Sequence, residues 1–71
     1  MSEATLKKIG ERLRKARLEK GMTQAEVAKQ AGMGTNRYAV VERGATSNMT
    51  INKLENICEA LGVKGADIIP F

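Results

Sequence analysis

Leu6, Ile9, Leu13 and Ala16 recur at spacings of three and four, with charged residues filling most of the positions between them. A helix with one apolar stripe reads this way, and the pattern predicts one from about Thr5 to Lys20, with Gly21 placed to end it. Thr23-Gln24-Ala25-Glu26 follows as a capping box. The Thr23 hydroxyl accepts from an amide of the new helix and Glu26 reaches back to the Thr23 amide. Val27, Ala28 and Ala31 carry the buried face of this short second helix, and Gly32 closes it. Met33-Gly34 is a turn. A third helix, about Thr35 to Arg43, turns Tyr38 and Val41 inward and stops at Gly44. Gly44 to Met49 is a loop of small polar residues. Thr50 then caps a fourth helix with the stripe Ile51, Leu54, Ile57, Cys58 and Leu61, closed by Gly62. A last turn of helix covers about Gly65 to Ile69 and ends at Pro70. No segment alternates with period two, so no strand is predicted. The expectation is an all-α fold of five helices in a single domain, residues 1–71.

With 71 residues the chain is near the lower size at which one apolar core holds a fold. Composition removes the usual staples. Cys58 is the only cysteine and there is no histidine, so neither an internal disulfide nor a zinc site is expected, nor any other metal or cofactor. A lone thiol fits a reducing, cytoplasmic compartment. No nucleophile–base arrangement and no phosphate-binding loop is visible, which argues against an enzyme and against a small-molecule ligand. Tyr38 and Phe71 are the only aromatics, too few for a base-stacking platform. No apolar run approaches the ~20 residues of a membrane span, and the first residues carry no signal-type apolar region.

Charge changes the picture through its distribution. The formal net charge is +4. All the cations but Lys53 and Lys64 precede Gly44, whereas Glu55, Glu59 and Asp67 follow it. A basic first part joined to a mildly acidic second part suggests a surface for a polyanion on one side. On charge alone, a solvated lysine-rich face fits equally well.

The arrangement of the second and third helices is more specific. Ala28 is small where one short helix passes against the other, and Gly32 stands where the turn needs a positive φ. Around them lie Ile9-Gly10-x-x-Leu13-Arg14-x-x-Arg17, Gly21-Met22-Thr23-Gln24-x-x-Val27-Ala28 and Ala31-Gly32-Met33. Val41-Glu42-Arg43-Gly44 and Leu54-x-x-Ile57-Cys58-x-Ala60-Leu61-Gly62-Val63 complete the series. In this order and at these spacings, from Ile9 through Ile69, the chain resembles the Cro and phage-repressor-like helix-turn-helix family, also called the XRE family.

The resemblance implies a compact five-helix, lambda-repressor-like DNA-binding domain, with the helix-turn-helix at about 23–43 and a dimerisation region at about 50–71. The third helix becomes the recognition helix, and the base-reading positions fall on Thr35, Asn36, Arg37 and Val40. Asn36 suits a bidentate contact to adenine, and Arg37 suits guanine or a phosphate. Val40 departs from the family's polar residue; a thymine methyl or a packing role are both open to it. Phosphate contacts fall on Thr23 and Gln24 at a helix N-terminus, on Arg43, and on Thr46, Ser47 and Asn48 in the following loop. Arg17 and Glu42 match a buried ion pair that orients the recognition helix. Gly34 stands where the family usually has a Ser or Thr cap. Tyr38 replaces an Ile or Val, with its hydroxyl expected to reach water or a phosphate.

The apolar end, Ile68, Ile69 and Phe71, either folds back on its own core or, with the outer face of the fourth helix, forms a twofold interface, and the second is expected. The function implied is a sequence-specific, double-stranded-DNA-binding transcriptional regulator, a repressor or controller. It would act as a homodimer on a near-palindromic operator with half-sites ~34 Å apart. The alternative is a protein-interaction module that keeps the fold without reading DNA.

Overall fold

Ser2 starts the first helix two residues ahead of the predicted boundary. Its hydroxyl accepts from the Thr5 amide at 3.1 Å, and α1 runs Glu3–Glu19. In the computed structural model, which describes residues 2–46 and 49–70, four further helices follow. They are α2, Gln24–Ala31; α3, Thr35–Glu42; α4, Ile51–Leu61; and α5, Gly65–Ile68. No strand occurs among the described residues.

The apolar stripes meet in one core. Ile9 and Leu13 of α1, Val27 of α2, Tyr38 of α3, and Ile57 and Leu61 of α4 are all fully buried. Burial of each aliphatic side chain of this kind contributes about 1.5–3 kcal/mol. α2 lies most extensively against α4, α1 lies against α3, and α5 closes the base against α1 and α4. Thr50 caps α4 as predicted, its hydroxyl accepting from the Lys53 amide at 3.1 Å.

Two apolar residues sit differently from the sequence expectation. Ile51 belongs to the α4 stripe by spacing, but it is 60% exposed, whereas Leu54 one turn on is buried. Ile68 is the reverse. It is 2% exposed, packed into the chain's own core, and so is not available as a contact to a second copy. Ile69 is half-buried, and Phe71 lies outside the described residues.

The close approach of α1 to the end of α3 depends on two glycines. A Cβ at Gly10 would run into the carbonyl oxygen of Val41, 2.7 Å away, and into that of Glu42. Gly44 ends α3 with φ +71, and a Cβ there would lie 2.6 Å from Lys7 Cα. Glycine inside a helix costs about 1 kcal/mol against alanine. At Gly10 that cost is offset by bringing two backbones into contact, which no other residue allows.

Candidate nucleic-acid interface

The start of α2 is fixed before its side chains are considered. The Glu26 amide donates to Thr23 Oγ1 at 3.1 Å, and the Thr23 amide donates to Glu26 Oε1 at 2.9 Å, the reciprocal box the sequence predicts. These bonds from Thr23 hold the exposed Glu26 carboxyl below its usual range. Val27, Ala28 and Ala31 turn into the core, so α2 has one permitted rotation about its axis. Gly32 then closes it with φ +72, the left-handed conformation expected at that position.

From that turn the chain enters α3 with Gly34 as N-cap and no side-chain cap, whereas α1, α2 and α4 each have one. Tyr38 and Val41 anchor one side of α3 in the core. Thr35, Asn36 and Arg37, the first turn, are exposed on the other. Three of the four residues expected to read bases therefore stand together in solvent. Val40 is half-buried and joins them on the wall of a cleft of about 740 Å³. Ala45, Thr46, Met49 and Lys53 line the same cleft.

Of the residues expected on the DNA backbone, Thr23 and Arg43 are exposed, Gln24 is half-buried, and Thr46 lines the cleft. Ser47 and Asn48 lie outside the described residues. Lys53 escaped the sequence reading because it belongs to the acidic part of the chain. The signal that marks it is its place three residues after the Thr50 cap, in the first turn of α4, where it lines the same cleft as Thr46.

Behind this face lies the predicted ion pair. Arg17 Nε donates to Glu42 Oε2 at 2.7 Å and Nη2 donates to Oε1 at 3.1 Å, a two-pronged pair with both residues buried. Arg17 Nη1 donates to the Met22 carbonyl at 3.0 Å, so each nitrogen of the guanidinium has a partner inside the protein. Glu42 Oε1 accepts one more bond, from Gln24 Nε2 at 3.1 Å. Burial pushes the Glu42 carboxyl up, but the hydrogen bonds it accepts, Arg17's foremost, outweigh this and keep it below the usual carboxylate range. The same bond raises the Arg17 guanidinium. One ion pair therefore ties α1, the α1–α2 turn, the start of α2 and the end of α3 together.

Tyr38 corrects a sequence expectation. Its hydroxyl does not reach water or a phosphate; it is fully buried beside the Arg17–Glu42 pair, without a hydrogen-bond partner among the described residues. Burial, and then the Glu42 carboxylate, push its pKa far above the ordinary tyrosine value. Cys58 is likewise buried in the α4 stripe, its thiol pushed up by burial and by Asp67 and Glu55. That is the setting of a packing residue rather than a nucleophile.

On the far side of α4, Ile51, Leu54, Cys58, Val63 and Ile69 line an apolar groove with Glu55 and Glu59 at its edge. No helix of the described residues is long and apolar enough to cross a membrane.

Residues 8–68 match the family model described as a helix-turn-helix domain. Control protein C.BamHI of Bacillus amyloliquefaciens is 33% identical over 64 residues, 89% of this chain and 78% of that protein. The HTH-type transcriptional regulator SinR of Bacillus subtilis is 34% identical over 55 residues. That match takes in 78% of this chain and 50% of SinR, so the chain spans only about half the length of this relative. Among solved structures, the restriction-modification controller protein C.AhdI from Aeromonas hydrophila superposes with a TM-score of 0.87 at 30% identity. The superposition covers 93% of this chain and 98% of that one.

Proposed function

Because the chain belongs to the XRE-like helix-turn-helix family, as its match over residues 8–68 shows, we propose that it is a sequence-specific regulator of transcription that binds double-stranded DNA. The observation that carries this reading is the first turn of α3. Thr35, Asn36 and Arg37 are all exposed there while Tyr38 and Val41 lock the helix from behind. A helix held in this way presents its N-terminal side chains to base edges in a major groove. Asn36 is the adenine reader, Arg37 takes guanine or a phosphate, and Thr35 and Val40 complete the reading surface. Thr23, Gln24, Arg43, Thr46, Ser47 and Asn48, with Lys53 added, hold the backbone on either side.

We further propose that the active form is a homodimer on a near-palindromic operator, working as a repressor or controller. The longest extent of the chain is 27 Å, less than the ~34 Å between successive half-sites on one face of DNA, so one copy covers one half-site. The groove on α4 supports a twofold contact made by Ile51 and Ile69 on the face expected for it, with Ile68 withdrawn into the core.

The test is selection of bound duplexes from a random pool at ~150 mM salt, near physiological ionic strength. An inverted repeat with half-sites one helical turn apart is the expected result. An isolated half-site would remove the dimer but keep the reader. Salt-sensitive retention without any motif would reject sequence-specific reading and favour a protein-interaction module.

A further inference from the structure

Glu42 does more than complete an ion pair. Its Oε1 takes a hydrogen bond from Arg17 and another, at 3.1 Å, from the side-chain nitrogen of Gln24, the first residue of α2. Arg17 meanwhile grips the Met22 carbonyl just ahead of the Thr23 cap. Two bonds therefore run from one buried pair joining α1 to the end of α3, one to the backbone of the α1–α2 turn and one to the first side chain of α2. A neutral glutamine amide has two N–H donors and an acceptor oxygen. Glu42 uses one donor. That contact fixes the side chain and leaves the second N–H of the same nitrogen for an outside acceptor. The Thr23 hydroxyl, the other polar group at this corner, accepts from the Glu26 amide and keeps its own O–H as a donor.

Building on the DNA-binding reading, we propose that Glu42 is a positioning residue for the DNA backbone. Its carboxylate holds the Gln24 amide in the one orientation that donates to a phosphate at the start of α2. The grip on the backbone and the setting of the recognition helix then share one carboxylate, so register along the strand and reading of the bases cannot drift apart. The competing view is that Gln24 only satisfies a spare lone pair of a buried acid and never meets DNA.

A double-mutant cycle separates the two. Affinity for a duplex carrying the selected site is measured for the unaltered protein, Gln24→Ala, Glu42→Asp and the double variant, each with its thermal midpoint. Glu42→Asp keeps the charge beside Arg17 but withdraws the carboxylate from Gln24. Gln24→Ala is expected to weaken binding about tenfold, the equivalent of about 1.4 kcal/mol at 25 °C, and to cost less than about twofold once Glu42→Asp is present. An equal loss in both backgrounds, or no loss from Gln24→Ala, overturns the proposal. Should Glu42→Asp fail to fold, duplexes with single phosphates replaced by neutral methylphosphonates take its place, tested against the unaltered protein and Gln24→Met. A backbone position where neutralisation weakens the first but not the second supports the contact, and identical profiles overturn it. If the unaltered protein binds no duplex, the DNA-binding reading itself has failed, which is a different result from an additive cycle.

Discussion

At Glu42 a single carboxylate collects two bonds from Arg17 and one from Gln24, and that concentration explains why the residue tolerates burial. Removing either partner of such a pair strands the other charge, at a cost of about 3–5 kcal/mol. The neighbouring Tyr38 hydroxyl is buried without a hydrogen-bond partner among the described residues. Tyr38→Phe is therefore expected to leave the unfolding free energy unchanged or to raise it by up to about 1 kcal/mol, read by urea denaturation. A clear loss would mean that the hydroxyl is satisfied through an ordered water. On the outer face, Asn36→Ala should erase discrimination between the selected site and a scrambled one. Arg43→Ala should instead weaken both by similar factors. Competition binding with the two duplexes reads the difference, and a preference that survives Asn36→Ala would move the reading surface off the start of α3.

At the scale of the helix, the decisive contact is between backbones. Gly10 of α1 sits against the last carbonyls of α3, so Gly10→Ala should destabilise the protein by about 1–3 kcal/mol, even though alanine favours helices. Urea unfolding measures it, and an unchanged midpoint would mean that α1 can slide away from α3 without loss. The sequence announced most of the elements because their signals are local. Thr23 and Thr50 precede their helices by one residue, and Ile9, Leu13, Leu54, Ile57 and Leu61 mark the buried faces by spacing alone. Ser2 was missed because the apolar stripe begins later, at Leu6. Gly10 entered the sequence reading only as part of a motif, because nothing along the chain indicates what a helix-interior glycine meets. The bond from Gln24 to Glu42 had no sequence signal, since it joins polar residues 18 apart on different helices. Ile68 misled because an apolar end looks the same whether it folds inward or faces a partner.

Taken whole, the molecule carries its titratable groups so that stability should form a plateau in pH. Glu42 and Glu26 have depressed folded-state pKa values, so their contribution is complete above the unfolded carboxyl value of about 4.3 and is lost as pH falls through the folded values. Cys58 and Tyr38 have raised values, so theirs is complete below the unfolded values of about 8.5 and 10 and is lost as pH rises beyond them. The thermal midpoint should therefore stay level from about pH 5 to about pH 8 and fall on both sides, as followed by circular dichroism. Tyr38→Phe should soften the alkaline fall, and a midpoint that climbs steadily through the neutral range would contradict these assignments.

The exposed first turn of α3 carries an implication for how new specificities arise. Thr35, Asn36 and Arg37 are exposed and stand outside the core, so exchanging them should cost folding no more than about 0.5 kcal/mol. Val40, half inside, shares its side chain between the cleft and the interior and cannot be altered as freely. On the proposed reading, preference can thus be rewritten three residues at a time on an unchanged chassis, by drift in a lineage or by a designer at the bench.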